Sequence, residues 1–287
     1  MTDVDLSIII PCHNEAATLP YQLDGLAGQV WDGDWEVIVV DNASTDGTAH
    51  IARSHGGLGS RLRVVEANQR RGVSYTRRMG VEASTARSVA FCDGDDVVGD
   101  AWVAVIGDSL RTHSLVTGEI LVDRLNDPGF AMSRGRRRVG EPPMHAGVVF
   151  LRGNNGAMWR TVWDRLGGFD ESFVGLEDIE LSLRAASIGL TVHFAPAAIV
   201  HYRYRSTLKG LWKQGLFYGR SYPKLRVTAQ RLGLATQPQG RAWKSWLWLA
   251  VNAPALVRAE RRPRWVWTAA CRVGAVQAGL RRRGTDG

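Results

Sequence analysis

Apolar residues in the first part of the chain fall into short continuous blocks separated by segments of helical periodicity. Leu6-Ser7-Ile8-Ile9-Ile10, closed by Pro11, is β-branched and apolar nearly throughout, as a strand buried on both faces should be. Trp35-Glu36-Val37-Ile38-Val39-Val40 repeats the type and ends at Asp41, while Leu62-Arg63-Val64-Val65 and Val89-Ala90-Phe91-Cys92 supply a third and a fourth strand. Between them Leu19, Leu23, Leu26 and Val30 recur at helical spacing behind Asn14, a favourable N-cap residue. A short helix follows the polar run Asn42-Ala43-Ser44-Thr45-Asp46-Gly47-Thr48, and another spans Val73 to Ala83. Strands alternating with helices predict βαβ units and an α/β fold with a mostly parallel sheet.

The pattern then loosens. A helix near 101–110 and a strand near 115–122 precede an aperiodic stretch, 123–146, that reads as a mobile loop. It carries Arg134-Gly135-Arg136-Arg137-Arg138, either a solvated charge run or a flap able to close over phosphates. Gly153-Asn154-Asn155-Gly156-Ala157 reads as a turn-rich entry to a short helix ending at Gly167-Gly168-Phe169-Asp170-Glu171. The helix beginning Glu177-Asp178 has Ile179, Leu183 and Ala186 on one face and acidic residues in its first turn, where the helix dipole favours them. Thr191–Phe194 and Ile199–His201 read as two short closing strands. There is no internal repeat, no Gly-x-Gly-x-x-Gly fingerprint and no P-loop.

From Thr207 the pattern changes. Leu208, Leu211, Trp212, Gly215, Leu216 and Gly219 form one helical stripe, with Lys209, Lys213 and Arg220 opposite. Trp243–Val251 is apolar but too short to cross a bilayer, and Trp265–Leu280 is apolar again, interrupted by Arg272 and followed by Arg281-Arg282-Arg283. Two domains are expected, residues 1–205 and a helical appendage over 206–287.

Charge sharpens that division. Residues 1–200 hold 18 arginines against 26 acidic residues, a balance of −8, whereas 201–287 hold 18 basic residues against Glu260 and Asp286, a balance of +16. Six of the 11 tryptophans lie in that basic part. Trp-rich apolar helices flanked by arginine suit an anionic membrane interface. The alternatives are a helical cap on the first domain or a dimer contact. Nucleic acid is not expected as a partner, because the aromatics cluster with aliphatics and the body is acidic. The acidic N-terminus lacks a signal-peptide plan, and three cysteines without a Cys-x-x-Cys pair argue against a disulfide framework or a zinc site. The expectation is a cytoplasmic protein, peripheral on the inner face of the plasma membrane.

Chemistry concentrates at Asp93-Gly94-Asp95-Asp96, directly after the fourth strand. Carboxylates at this spacing suit a hard divalent ion such as Mg²⁺ or Mn²⁺; taken alone, they more often mark a solvated acidic turn capping the next helix. Pro11, Asp41 and Asp93 all stand at carboxyl ends of predicted parallel strands, where ligands gather in such sheets.

Five segments in order carry a resemblance: Ser7–Glu15, Val39–Thr48, Asp93–Asp96, Gly167–Glu171, and Glu177-Asp178 followed by Arg184. Over roughly residues 5–205 the chain resembles the inverting family 2 glycosyltransferases of the GT-A fold, nucleotide-diphospho-sugar transferases. The resemblance implies that Pro11, His13 and Glu15 line a nucleotide pocket and that Asp41 accepts a hydrogen bond from the base. It implies that Asp93 reaches ribose and metal, that Asp95 ligates the metal, and that Asp178 is the catalytic base with Glu177 beside it. His201 either completes the metal shell or is a core-edge histidine. Arg77 matches a family position, yet Thr76 and Arg78 replace the usual alanine and asparagine around it. Gln-x-x-Arg-Trp, the mark of processive synthases, is missing, which favours one sugar per encounter.

The implied function is metal-dependent transfer of one sugar from a nucleotide-diphosphate sugar to a hydroxyl of a lipid-linked or cell-envelope glycan. The rival readings are a sugar-1-phosphate nucleotidyltransferase and a non-catalytic membrane-associated scaffold.

Overall fold

The four apolar blocks form the parallel part of an eight-stranded sheet. The computed structural model describes residues 4–135, 138–173, 175–234 and 242–283. In chain order the elements are β1 (Leu6–Cys12), α1 (Leu19–Ala27), β2 (Trp35–Asp41), α2 (Thr48–Ser54), β3 (Leu62–Glu66), α3 (Val73–Ala83), β4 (Ser88–Cys92) and β5 (Val97–Val98). Then come α4 (Trp102–Leu110), β6 (Leu115–Leu121), α5 (Pro128–Ala131), β7 (Met144–His145), β8 (Val148–Val149), β9 (Asn155–Trp159), α6 (Arg160–Leu166), α7 (Glu177–Ser187) and β10 (His193–His201). The C-terminal helices are α8 (Leu208–Arg231), α9 (Ala242–Val251) and α10 (Arg262–Arg283).

The strand order is β3-β2-β1-β4-β9-β6-β10-β5. β1 runs parallel to β2 and β4, β2 to β3, and β6 to β10, while β9 is antiparallel to both its neighbours. Alternate residues of β1 serve opposite cores. Leu6, Ile8 and Ile10 pack with Leu19 and Leu23 of α1 and Trp102 and Ile106 of α4, and Ile9 packs with Tyr75 and Val81 of α3 and with Phe91. Each fully buried side chain of this size stabilises by about 1.5–3 kcal/mol, so a sheet covered on both faces needs an unbroken apolar run.

The structure has two compact units. One comprises Met1–Leu121, Val139–Ser172 and Glu177–Tyr202; the other Val122–Arg138, Phe173–Leu176 and Arg203–Gly287. The first holds the sheet. In the second, α8 and α10 pack closely, because a Cβ on Gly215 or Gly219 would run into Ala270 or the Cys271 backbone. The amphipathic stripe of α8 is thus largely covered: Leu211, Gly215 and Gly219 are buried. α9 instead leaves Trp243, Trp246, Leu247 and Val251 exposed. Among the described residues no helix is long and apolar enough to cross a membrane.

Several local expectations are corrected. Asn14 caps no helix. It sits at φ 56°, α1 starts behind Thr18, and Val30 lies past the helix end, exposed. The stretch after Gly153 is not only a turn, since Asn155–Trp159 is a buried strand between β4 and β6. The two closing strands are one, β10, with a register shift between Ala195 and Ile199. The aperiodic stretch contains α5 and strand β7, which pairs with β8. Pro11 does not end β1. It lies past the last pair with β4, Ile9↔Phe91, where a missing N–H costs that ladder nothing.

Candidate functional site

The carboxyl ends of β1, β2 and β4 bring Pro11, Asp41 and Asp93 to one edge of the sheet, and the loops beyond them are laced together. Asn14 accepts from the Thr45 N–H at 2.8 Å, Glu15 N–H donates to Thr48 Oγ1 at 2.8 Å, and Ala16 N–H donates to Asp46 Oδ2 at 2.9 Å. The hydrogen bond from Thr48 holds the Asp46 carboxyl below its usual range. These short polar residues replace a helix cap with a mutual loop brace. Asn42, buried, accepts from Gly72 N–H at 3.2 Å and donates to the Arg70 carbonyl at 2.6 Å, which fixes the entry to α3. His13 lies against this brace, its Nδ1 2.9 Å from the Asn42 carbonyl and its Nε2 2.7 Å from Arg71 Nη1.

Asp41 is buried. Its Oδ2 accepts from Ser44 N–H at 3.2 Å, but its Oδ1 is buried with no hydrogen-bond partner. Such an acceptor costs about 1–3 kcal/mol unless a donor reaches it, which is the condition a ligand N–H satisfies.

The acidic turn after β4 draws ligand oxygens of Asp93, Asp95 and Asp96 within 4.8 Å of one another. Three carboxylates at that separation repel unless a cation sits among them, and an all-oxygen donor set fits a hard divalent ion. Asp96 is buried and accepts from Asn154 Nδ2 at 2.7 Å, whereas Asp93 and Asp95 are half-buried. Gly94 is required here, because a Cβ would strike the Glu15 carboxylate and the Cys12 sulfur. Gln22 of α1, fully buried, clamps both sides of the turn: Nε2 donates to the Asp93 carbonyl at 3.0 Å and Oε1 accepts from Val98 N–H at 2.9 Å. His201 ends β10 opposite Val97, one residue past the acidic turn, and its ring is not among the converging ligand atoms.

On the other side stands the N-terminus of α7. Asp178 Oδ2 accepts from Gly153 N–H at 2.9 Å and Oδ1 from Ile179 N–H at 2.8 Å. Arg77 of α3 joins the two carboxylate groups: Nη1 donates to Glu177 at 2.7 Å and Nη2 to Asp93 at 2.9 Å. Burial alone would lower the Arg77 pKa, but the charges of Asp93 and Glu177 outweigh it and the guanidinium is held firmly protonated. Burial pushes Glu177 up to about 7, with the Asp178 charge adding to the rise and Arg77 pulling back. Burial likewise raises Asp178 above the ordinary aspartate range. A carboxylate whose ionised form is destabilised is a stronger proton acceptor, which is what a base requires.

Other expected residues have different places. Trp163 packs 5.6 Å from Phe91 and 5.2 Å from Phe169, in an aromatic layer against β4. Trp159 donates to the Leu110 carbonyl at 2.7 Å. Within Gly167–Glu171, Phe169 belongs to that aromatic layer, and Glu171 is gripped by Arg78 at 2.7 Å, so the replaced family position has a structural use. Arg184 pairs with Glu180 at 2.8 Å and donates to the Gly168 carbonyl. Arg136 and Arg137 lie outside the described residues, and Arg203 and Arg205 belong to the second unit. Sequence reasoning missed Gln22, Asn154 and Gly153; only the polar character of Gln22 on an otherwise apolar helix face pointed to any of them.

Comparison with known proteins gives the family and the fold. The family described as "Glycosyl transferase family 2" matches residues 7–160, and "Glycosyl transferase family group 2" matches 138–275. This chain belongs to glycosyl transferase family 2. The chain is similar to the pre-mycofactocin glycosyltransferase of Mycobacterium tuberculosis, 26% identical over 260 residues, which are 86% of this chain and 53% of that protein. The chain thus spans about half the length of that relative. A PGL/p-HBAD biosynthesis glycosyltransferase of Mycobacterium bovis is 30% identical over 188 residues, 63% of this chain and 69% of that protein. Among solved structures, the mannosyltransferase PcManGT from Pyrobaculum calidifontis, in complex with GDP-Man and Mn²⁺, superposes with a TM-score of 0.66 at 20% identity, covering 97% of this chain and 88% of its own. S. aureus TarS 1–349 in complex with UDP-GlcNAc gives a TM-score of 0.57 at 14% identity, covering 98% and 92%. The fold is that of the GT-A glycosyltransferases, followed by C-terminal helices.

Proposed function

We propose that the protein is a metal-dependent inverting glycosyltransferase that moves one sugar from a nucleotide-diphosphate sugar to a hydroxyl of a lipid-linked or cell-envelope glycan. The observation that carries the reading is a three-carboxylate cluster together with a separate, proton-avid carboxylate, Asp178, whose neighbour Glu177 is tied to Asp93 of the cluster through buried Arg77. The two needs of glycosyl transfer are charge neutralisation at the leaving diphosphate and removal of the acceptor proton. The cluster serves one and Asp178 the other.

In this reading Pro11, His13 and Glu15 line the nucleotide pocket, and the unpartnered Oδ1 of Asp41 accepts from the base. Asp95 and Asp93 would hold Mg²⁺ or Mn²⁺ beside buried Asp96, and His201, whose backbone pairs with Val97 just past the acidic turn, would have to turn toward the cluster to join the shell. A bound ion would supply positive charge against the diphosphate. Asp178 takes the proton of the attacking hydroxyl in a single displacement with inversion, and Glu177 orients the acceptor. Residues 1–205 carry this chemistry, and 206–287 rest on the anionic inner face of the plasma membrane, with α9 presenting its exposed tryptophans. Similarity to a PGL/p-HBAD biosynthesis glycosyltransferase supports such an acceptor, and the GDP-Man and UDP-GlcNAc bound by the structural neighbours support a nucleotide-sugar donor.

The test is transfer from a panel of nucleotide sugars by the full chain with Mn²⁺ or with a chelator, with the product anomer read by NMR. Asp95→Ala and Asp178→Asn should each abolish transfer. Metal-independent turnover, retention of configuration, or near-normal rates in a variant would each overturn the matching part. Flotation of the full chain with anionic but not neutral liposomes tests the membrane contact.

A further inference from the structure

The second unit contains a pocket of about 260 Å³ lined by arginines and aromatics, with no carboxylate in its wall. Ser133 and Arg134 supply one side, and Arg264, Trp267, Cys271 and Arg272 of α10 the other. Arg134 is fixed by its surroundings: the guanidinium lies 4.4 Å from the Trp267 ring and 4.6 Å from Tyr204, and Nη2 donates to Gln214 at 2.7 Å. Arg264 lies 5.3 Å over Trp248. Among the described residues no carboxylate pairs with Arg264 or Arg272.

Arg272 Nε and Ser133 Oγ in this wall are buried and make no hydrogen bond among the described residues. Ser133 is wholly inaccessible. A buried donor without an acceptor costs about 1–3 kcal/mol, and more when it is charged. The half-buried Arg272 has no carboxylate beside it among the described residues, so an anion entering the pocket would offset the cost of its desolvation. Burial raises the Cys271 thiol to about 11, so at neutral pH it is an uncharged wall and not a competing anion.

Size and shape select the anion. Pockets for drug-sized ligands run to about 300–1,000 Å³, and this one is smaller, too small for a nucleotide sugar. Planar guanidiniums with a hydroxyl donor match the oxygens of a phosphoryl group. We propose that this pocket binds a phosphoryl anion, a phosphomonoester or phosphodiester group, through Arg134, Arg264, Arg272 and Ser133. The phosphate belongs either to a lipid headgroup or to a soluble phosphorylated compound. α9 makes the lipid source worth its own arm, because Trp265 Nε1 donates to the Leu249 carbonyl at 3.0 Å, tying the exposed tryptophans of α9 to the start of α10 beside Arg264. The proposal does not depend on glycosyl transfer, which donor turnover in the same variants reads separately.

The test uses the full chain with two probes: inorganic phosphate by titration calorimetry at fixed ionic strength, and vesicles of phosphatidylcholine with or without phosphatidic acid by co-sedimentation. Wild type should bind phosphate, and Arg272→Gln, Arg264→Gln and Ser133→Ala should each weaken binding, the arginine changes by about tenfold or more. Arg53→Gln, a surface change in the first unit, should not. Loss of phosphatidic acid-dependent sedimentation in the same variants identifies a lipid headgroup, and phosphate binding without vesicle binding identifies a soluble ligand. Either result supports the pocket. If Arg272→Gln fails to fold by circular dichroism, Arg264→Gln decides, because Arg264 is exposed and, among the described residues, its guanidinium makes only the Trp248 ring contact. Absence of binding to both probes, or binding unchanged in Arg264→Gln, overturns it.

Discussion

Arg77 Nη2 lies 2.9 Å from Asp93, and the other arm of the same guanidinium reaches Glu177, 100 residues further along the chain, at 2.7 Å. One buried cation thereby sets the spacing between the acidic turn after β4 and the first turn of α7. It also explains why so many carboxylates tolerate burial near each other, since an unpaired buried charge is among the costliest features a fold can carry.

Replacing Arg77 should therefore damage both stability and chemistry. Arg77→Met leaves Glu177 buried without its cation and should cost about 3–5 kcal/mol, read as a lower urea midpoint. Arg77→Lys keeps the charge but cannot bridge both carboxylates as a fork does, so it should recover much of the stability and little of the turnover. Full turnover in the lysine variant would show that the bridge is not needed for catalysis.

Gln22 offers a test of the acidic turn that touches no carboxylate. Gln22→Leu keeps the volume roughly constant but strands the Asp93 carbonyl and the Val98 N–H, a loss of about 1–3 kcal/mol. Because the turn is then held less firmly, Mn²⁺ affinity measured by titration should fall while nucleotide binding without metal stays near wild type. Unchanged Mn²⁺ affinity would mean the turn holds its shape without the clamp.

The parallel strands and the motifs at their ends were legible because burial on both faces leaves an unmistakable apolar run, and because ligand-facing residues must follow the strand ends. β9 was not legible. Asn155 and Gly156 carry turn chemistry, yet Asn155 is buried, donating to the carbonyls of Glu119 and Ala198 and accepting from Trp102, and a Cβ on Gly156 would strike Leu151. Tertiary partners, not local propensity, make that strand. Asn14 misled for the converse reason, since its side chain serves the neighbouring Thr45 loop instead of a helix end. The Arg77 bridge was out of reach because nothing local signals a partner so distant in sequence.

The Glu177 pKa makes a signed prediction about pH. The folded state holds this proton up to about 7, against 4.5 for an ordinary glutamate, so between those values the folded protein carries more protons than the unfolded chain. Unfolding free energy should then fall as pH rises through that window, by roughly 3 kcal/mol from this group, and Asp178 acts in the same direction. Urea unfolding near about pH 5 and about pH 8 should show this loss in wild type and a flatter profile in Glu177→Gln. Equal slopes in the two proteins would exclude Glu177 as the source.

Gly153 connects the bridge to Asp178, the proposed base. Its N–H donates to Asp178 at 2.9 Å, and a Cβ at this position would lie 2.8 Å from Arg77 Nη1, closer than real contacts allow. Gly153→Ala must therefore move either the guanidinium or the loop. Moving the loop withdraws the hydrogen bond that holds the Asp178 carboxylate in position, and moving Arg77 loosens Glu177 and Asp93 together. Displacing a reacting group by about 1 Å costs on the order of 10²-fold in rate, so turnover should fall by that order while donor binding changes little. In the proposed function, Asp41 and the β1 and β2 loops, which the substitution does not touch, hold the donor. Calorimetry with a nucleotide diphosphate alongside steady-state transfer separates the effects. A parallel fall in nucleotide affinity would place Gly153 in the nucleotide pocket instead of beside the base.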